Sequence, residues 1–266
     1  MPTRTITTTR EITTTTTTML TLTAPPATLT ADGDLLGAAL PGGLEPVALL
    51  RLLQLVSPAL PIGAFAFSQG LETAVELGWV RDEASAESWL LGSLGDGLAR
   101  LELPLVLRFH AAWLAEDERA VKRWSEFLLA SRETRERRLE EAQLGRALAR
   151  LLADQGVPEA ARAVHASHVT HVGMFALGAT SFGIPPSAAL FGFAFAWAEG
   201  QVGAASRLVP LGQLAAQRVL AAAARRIPDA AAVACSLADA DLGATLPGLA
   251  LASALHETQY TRLFQS

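Results

Sequence analysis

Three histidines within seven residues, His165, His168 and His171, form the one grouping in the chain with metal-ligand spacing. On a helix, residues three apart share a face, so either neighbouring pair could hold one ion. The outer two would point about 120° apart at helical periodicity. No carboxylate or cysteine lies inside the cluster to close a site, so a polar start to a helix fits it equally well. A nucleophile motif is approached at Ala66-Phe67-Ser68-Gln69-Gly70, with alanine in the first glycine place of a nucleophile elbow. That elbow needs a strand before it and a helix after it, and a proline-rich turn precedes it here. Phosphate-loop chemistry needs a lysine behind a glycine-rich loop, yet the one lysine, Lys122, sits in Ala120-Val121-Lys122-Arg123. His256-Glu257 lacks the second histidine of a zinc-protease helix. Ser68 therefore reads as a capping or packing residue, and no catalytic constellation is assembled.

The elements that must carry these residues are helical. Half of the 266 residues are apolar and 18% are charged, which suffices for a sizeable core. Isoleucine occurs five times only, so β-branched strand runs are missing. The net charge of -5 and a pI near 5.6 exclude a basic nucleic-acid surface. The single cysteine, Cys235, forms no internal disulfide, which fits a reducing cytoplasm. Residues 1–30 are half threonine, and residues 1–45 read as a disordered leader with too little apolar surface to offset chain entropy. The expectation is an all-α, single-domain helical bundle over residues 46–266, with a tail from about residue 250.

Pro46 can open a first helix that runs to about Val56. A second is expected from Phe65 to Leu77 with Gly78 as its C-cap, and a third behind Asp82, with Trp89, Leu90 and Leu94 on its apolar face. Pro104 begins or kinks the next, and Glu118 to Leu129 is amphipathic. The stretch from Ser131 to Gly156 reads as a surface helix, with Glu133–Arg137, Arg137–Glu141 and Arg132–Glu136 spaced for solvated ion pairs. Residues 163–198 lack Asp, Glu, Lys and Arg, which raises an integral membrane alternative. Pro185-Pro186 divides the run into pieces short of the roughly 20 residues a span requires, so two buried helices are expected, packed through glycines 173, 178, 183 and 192. A helix through Arg226 should stop at Ile227-Pro228, with a short one near Asp229 to Leu237.

Leu49 to Val80 holds more prolines, glycines and exposed aromatics than a core needs, which suits a protein interface. Ser57-Pro58-Ala59-Leu60-Pro61-Ile62-Gly63 and Ser68-Gln69-Gly70-Leu71-Glu72 resemble the signature of the urease accessory UreF family. Three later segments resemble that family in the same order. The first is Ala130-Ser131-Arg132-Glu133-Thr134-Arg135-Glu136, followed in the helix by Arg137 where an apolar residue is common. The second is Arg207-Leu208-Val209-Pro210-Leu211-Gly212-Gln213, read as a proline-kinked helix. The third is the segment from His256 to Ser266, in which Gln265 stands where arginine is common.

The resemblance implies a non-enzymatic, homodimeric maturation factor, without membrane or nucleic-acid partners. It implies bridging of UreD (UreH in some organisms) and the GTPase UreG, GTPase regulation, and support of nickel delivery into apo-urease. Nickel would be handled by the complex and not bound stably, with His165, His168 and His171 at most a transient transfer site. Partner contact is expected at Gly63, Phe65, Ser68, Gln69 and Glu72. Arg207 and Gln213 would face the GTPase or the dimer mate, and Tyr260, Arg262, Leu263 and Phe264 would dock on UreD. A serine hydrolase built on Ser68 is the alternative from a different class.

Overall fold

The computed structural model describes residues 44–166, 168–243 and 246–266, and the leader up to residue 43 lies outside the described residues. Among the described residues the chain is all-α, without a strand. Helix α1 (Pro46–Leu55) starts on its proline, where the missing N–H would have had no partner. The expected helix from Phe65 to Leu77 is broken. A 3-10 turn covers Ala64–Ala66, and α2 spans only Leu71–Glu76. The break comes from left-handed backbone at Gln69 (φ 57°) and Gly70 (φ 82°), which reverses the chain just before the helix. At Gly70 a side chain would also meet the Ser253 amide nitrogen at 3.2 Å.

Asp82 caps α3 (Glu83–Gly92) as expected: its carboxylate accepts the Ser85 amide at 2.9 Å, and the Ser85 hydroxyl accepts the Asp82 amide at 3.1 Å. A π turn and a 3-10 turn lead into α4 (Glu102–Leu114), with Pro104 in its first turn. Next come α5 (Glu118–Ala130), α6 (Arg135–Asp154) and α7 (Pro158–Ala163), the first two capped by Asp117 and Thr134. The charge-poor stretch forms α8 (His171–Ser181) and most of α9 (Pro186–Leu208). Among the described residues no helix is long and apolar enough to cross a membrane.

Pro210 falls in the link after α9, not inside a helix, so the kinked helix expected there is absent. Helix α10 (Gln213–Ser236) instead carries Pro228 in its interior. The stop expected at Ile227-Pro228 fails because Ile227, Ala230, Ala231 and Ala234 all pack into the core, which outweighs one lost backbone bond. The chain closes with α11 (Pro247–His256) and a tail to Ser266.

The core centres on α8, which packs on α4, α6 and α9. Phe109 is fully buried there, which contributes about 1.5–3 kcal/mol by transfer alone, and Phe175 meets Phe193 edge-on at 5.0 Å. Close approach depends on Gly145 of α6: a Cβ there would lie 2.6 Å from the Thr170 carbonyl carbon at the start of α8. Gly173, Gly178 and Gly192 also face neighbouring side chains, whereas Gly183 is a left-handed turn and not a packing position.

Candidate functional site

The segment before α2, the first half of α6 and the tail converge on one buried polar joint. The left-handed turn at Gln69 and Gly70 points the first turn of α2 at the tail. There Glu72 accepts the Leu263 amide at 2.7 Å with one carboxylate oxygen and the Phe264 amide at 2.9 Å with the other. The Ser68 amide and hydroxyl both donate to the Ser266 carbonyl, at 2.8 and 2.5 Å, and the Gln265 amide donates to the Ala66 carbonyl at 2.8 Å. The Ser266 hydroxyl donates to Glu140 at 3.0 Å. A carboxylate that collects two backbone N–H groups acts as a charge-assisted clamp, stronger than neutral pairings.

Beneath the tail lies a set of charges read from sequence as solvated. Arg132, Arg137, Glu140 and Glu141 are each less than 10% exposed. The Arg132 guanidinium donates to Glu102 at 2.5 Å and to Glu141 at 2.7 Å, and Arg137 donates to Glu140. The three ion pairs expected between helical turns are thus replaced by Arg132 reaching Glu102 of α4 and Glu141 nine residues on, and by the pair of Arg137 with Glu140 within α6. The signal was present: Arg137, Glu141, Leu144, Leu148 and Leu152 fall on one helical stripe, and all five are buried. Burial alone would raise the Glu141 carboxyl, but Arg132, His171 and the Val172 amide hold it below its ordinary value. Burial would likewise lower the Arg132 guanidinium, and Glu102 and Glu141 hold it above its usual range instead. Its Nε is buried without a partner, so the joint is not fully satisfied among the described residues.

Gln69 ties this joint to the rest of the body, donating to Glu140 at 2.7 Å and accepting from the Trp197 indole at 2.8 Å. A cavity of about 380 Å³ opens beside it, with Phe65, Phe67, Phe193 and Trp197 on its apolar side and Glu141 and His171 on its polar side. Burial pushes the His171 imidazole below its ordinary value, against the pull of Glu141 and Glu140.

The sequence-predicted residues divide into two groups. Ser68, Glu72 and Phe264 are buried inside the molecule, so they shape the tail and present no free surface, contrary to their expected place in a contact face. Phe65 (66% exposed), Leu263 (64%) and Tyr260 (fully exposed) remain open. Arg207 joins the two groups: it donates to the Phe65 carbonyl at 3.1 Å and lies over the Phe65 and Phe264 rings at 6.0 and 5.8 Å. Arg262 donates to Glu136 at 2.7 Å. Gly63 supplies a left-handed turn (φ 81°) ahead of Phe65, and Gln213 is exposed at the start of α10. The tail is thus folded on its own body, with Tyr260 and Leu263 left outward.

Ser68 does not stand on an elbow either, because a 3-10 turn precedes it and its hydroxyl is committed to Ser266. The histidines are not on one helix: His165 and His168 occupy the turn before α8, and only His171 is helical, because the Thr170 hydroxyl caps the helix by accepting the Gly173 amide at 3.2 Å. Among the described residues no three His, Cys, Asp or Glu side chains are grouped to hold a metal ion. Sequence reasoning missed His256 and Glu136 altogether as parts of the joint.

A second exposed feature lies on α1, where Val47, Leu50 and Leu53 (69, 65 and 55% exposed) form one apolar face. Phe191 and Phe195 of α9, against which α1 packs, are also exposed.

Residues 80–224 match the model of the family described as UreF. Urease accessory protein UreF of Chromohalobacter salexigens is 51% identical over 222 residues, covering 84% of this chain and 96% of the relative. The proteins of that name from Alkalilimnicola ehrlichii and Pseudomonas putida (strain W619) are 48% and 49% identical. They cover 81% and 83% of this chain and 95% and 98% of their own lengths.

Proposed function

The chain belongs to the UreF family of urease accessory proteins, and from that membership we propose that it bridges UreD (UreH) and the GTPase UreG during urease maturation. In this reading it supports delivery of nickel, as cargo of the complex, into apo-urease and regulates the GTPase, without performing catalysis itself. The setting is the cytoplasm. The observation that supports it most is the tail: Arg262, Phe264 and Ser266 are pinned to the body, while Leu263 projects outward between them and Tyr260 just ahead of them. Preorganised aromatic and aliphatic anchors of this kind lose little entropy on docking. We assign Tyr260 and Leu263 to contact with UreD, together with Arg207, which lies over the Phe264 ring next to Leu263, and Phe65, whose carbonyl Arg207 holds. Gln213 belongs to the UreG-facing side or the dimer region. The apolar face of α1 with Phe191 and Phe195 serves a second copy of the chain, since it is apolar in the way homodimer interfaces are.

Co-purification with the cognate UreD and UreG tests the reading. The wild-type chain is expected to recover both. Tyr260→Ser with Leu263→Ser is expected to lose UreD while keeping a wild-type helical spectrum. Recovery of neither partner by the wild-type chain, or full recovery of UreD by the double variant, would sink the proposal. Removing residues 256–266 is a poorer test, because it would strip Glu72 and Glu140 of buried partners.

A further inference from the structure

His256, at the C-terminal end of α11, is fully buried, and both of its ring nitrogens face carboxylates. Nδ1 lies 2.6 Å from a Glu136 oxygen and Nε2 lies 3.2 Å from a Glu72 oxygen. A neutral imidazole offers one N–H and one lone pair. In either tautomer, one nitrogen would then set a lone pair against a carboxylate oxygen inside the protein. Only the imidazolium donates at both positions. Charge balance leads to the same state. Glu72 and Glu136 carry two negative charges, and Arg262 returns one positive charge through its 2.7 Å bond to Glu136. An imidazolium makes the buried set neutral, as buried charges require.

The groups facing the ring come from each neighbouring element. Helix α2 supplies Glu72, and α6 supplies Glu136. The tail supplies Arg262, and Glu257 follows the ring in sequence, its carboxylate accepting the Glu136 amide at 3.1 Å. Both carboxylates that grip the ring also grip the tail: Glu72 holds the amides of Leu263 and Phe264, and Glu136 holds Arg262. The ring and the tail are therefore held by the same two carboxylates, and Glu72 Oε2 meets both the ring and the Phe264 amide.

We infer that seating of the C-terminal tail is coupled to a proton on His256, which makes the tail a charge-dependent latch. The sign follows from linkage. A ring that donates from both nitrogens takes up a proton when the tail seats, so the latch is tightest where protons are plentiful. It weakens as pH rises, by at most about tenfold in the seating constant per pH unit for one proton. It does not depend on which partner meets the tail.

Two measurements on the full chain test this. Long-range nitrogen–proton NMR correlation of the His256 ring at about pH 7 should show both nitrogens protonated. A single-tautomer pattern would overturn the inference. Hydrogen-exchange protection of residues 259–266, corrected for intrinsic chemistry, should fall with rising pH between about pH 6 and about pH 8.5 in the wild type. The same profile should be flat in His256→Gln. If that variant does not fold, Glu136→Gln takes its place, because an amide can pair with a neutral ring and should flatten the profile. A flat wild-type profile, or equal slopes in wild type and the folded variant, contradicts the latch.

Discussion

Where α8 crosses α6, the chain comes close by placing nothing in between: Gly145 leaves room for the Thr170 carbonyl, and Phe109 fills the neighbouring space from α4. Where the tail crosses α2 and α6, the chain comes close by the opposite device. Carboxylates reach out to collect backbone amides, and arginines, a histidine and hydroxyls balance them. The first contact, at Gly145 and Phe109, is governed by volume. The second is governed by charge balance. The bundle and the tail are thus stabilised by different physics within the same set of helices.

The comparison can be broken most forcefully with one substitution in each region. Phe109→Ala should cost about 3–5 kcal/mol in urea unfolding, and the loss should be the same at each pH where the protein folds. Arg132→Met should cost a similar amount, about 3–5 kcal/mol, because it leaves Glu141 buried without its arginine and Glu102 with only Arg137, 3.8 Å away. Its loss should shrink as pH falls, since an orphaned carboxyl can take up a proton. A pH-independent loss in Arg132→Met would erase the distinction. Gly145→Ala comes next, at about 1–3 kcal/mol, because the methyl meets backbone and not the end of a flexible side chain. The acid dependence of the wild type should be smaller still. Glu141 and His171 are both held below their ordinary values, so the unfolded chain binds more protons over that window. Their contribution is present above the unfolded values and is lost as pH falls through the folded ones. Glu141→Gln should therefore lower stability at neutral pH but flatten the acid limb of a urea-midpoint profile.

Much of the bundle was legible in local signals. Pro46 and Asp82 mark helix starts that the structure keeps, and Gly78 (φ 72°) ends α2 as its residue type suggests. What failed depended on partners distant in sequence. Nothing near Gln69 announces a left-handed glutamine, because that conformation is held by contacts to Glu140 and Trp197, 71 and 128 residues away. Pro228 looked like a helix end because its local cost is real, while the packing that outweighs it comes from other helices. The charges of α6 were the more instructive error. Ion-pair spacing within a helix describes an exposed face equally well as a buried one, and only the continuity of Arg137 and Glu141 with the leucine stripe separates the two. His256 carried no local sign of its role, since Glu72 lies 184 residues from it.

The division between a buried joint that shapes the tail and an exposed surface that reads a partner is tested most directly by nickel-dependent activation of apo-urease. The assay contains cognate UreD and UreG, with either the wild-type chain or the Tyr260→Ser, Leu263→Ser variant. Both substituted side chains are exposed, so the variant should unfold within about 0.5 kcal/mol of wild type. The prediction is that activation falls to the level seen without the chain while stability is unchanged. Activation equal to wild type by a folded variant would contradict the account.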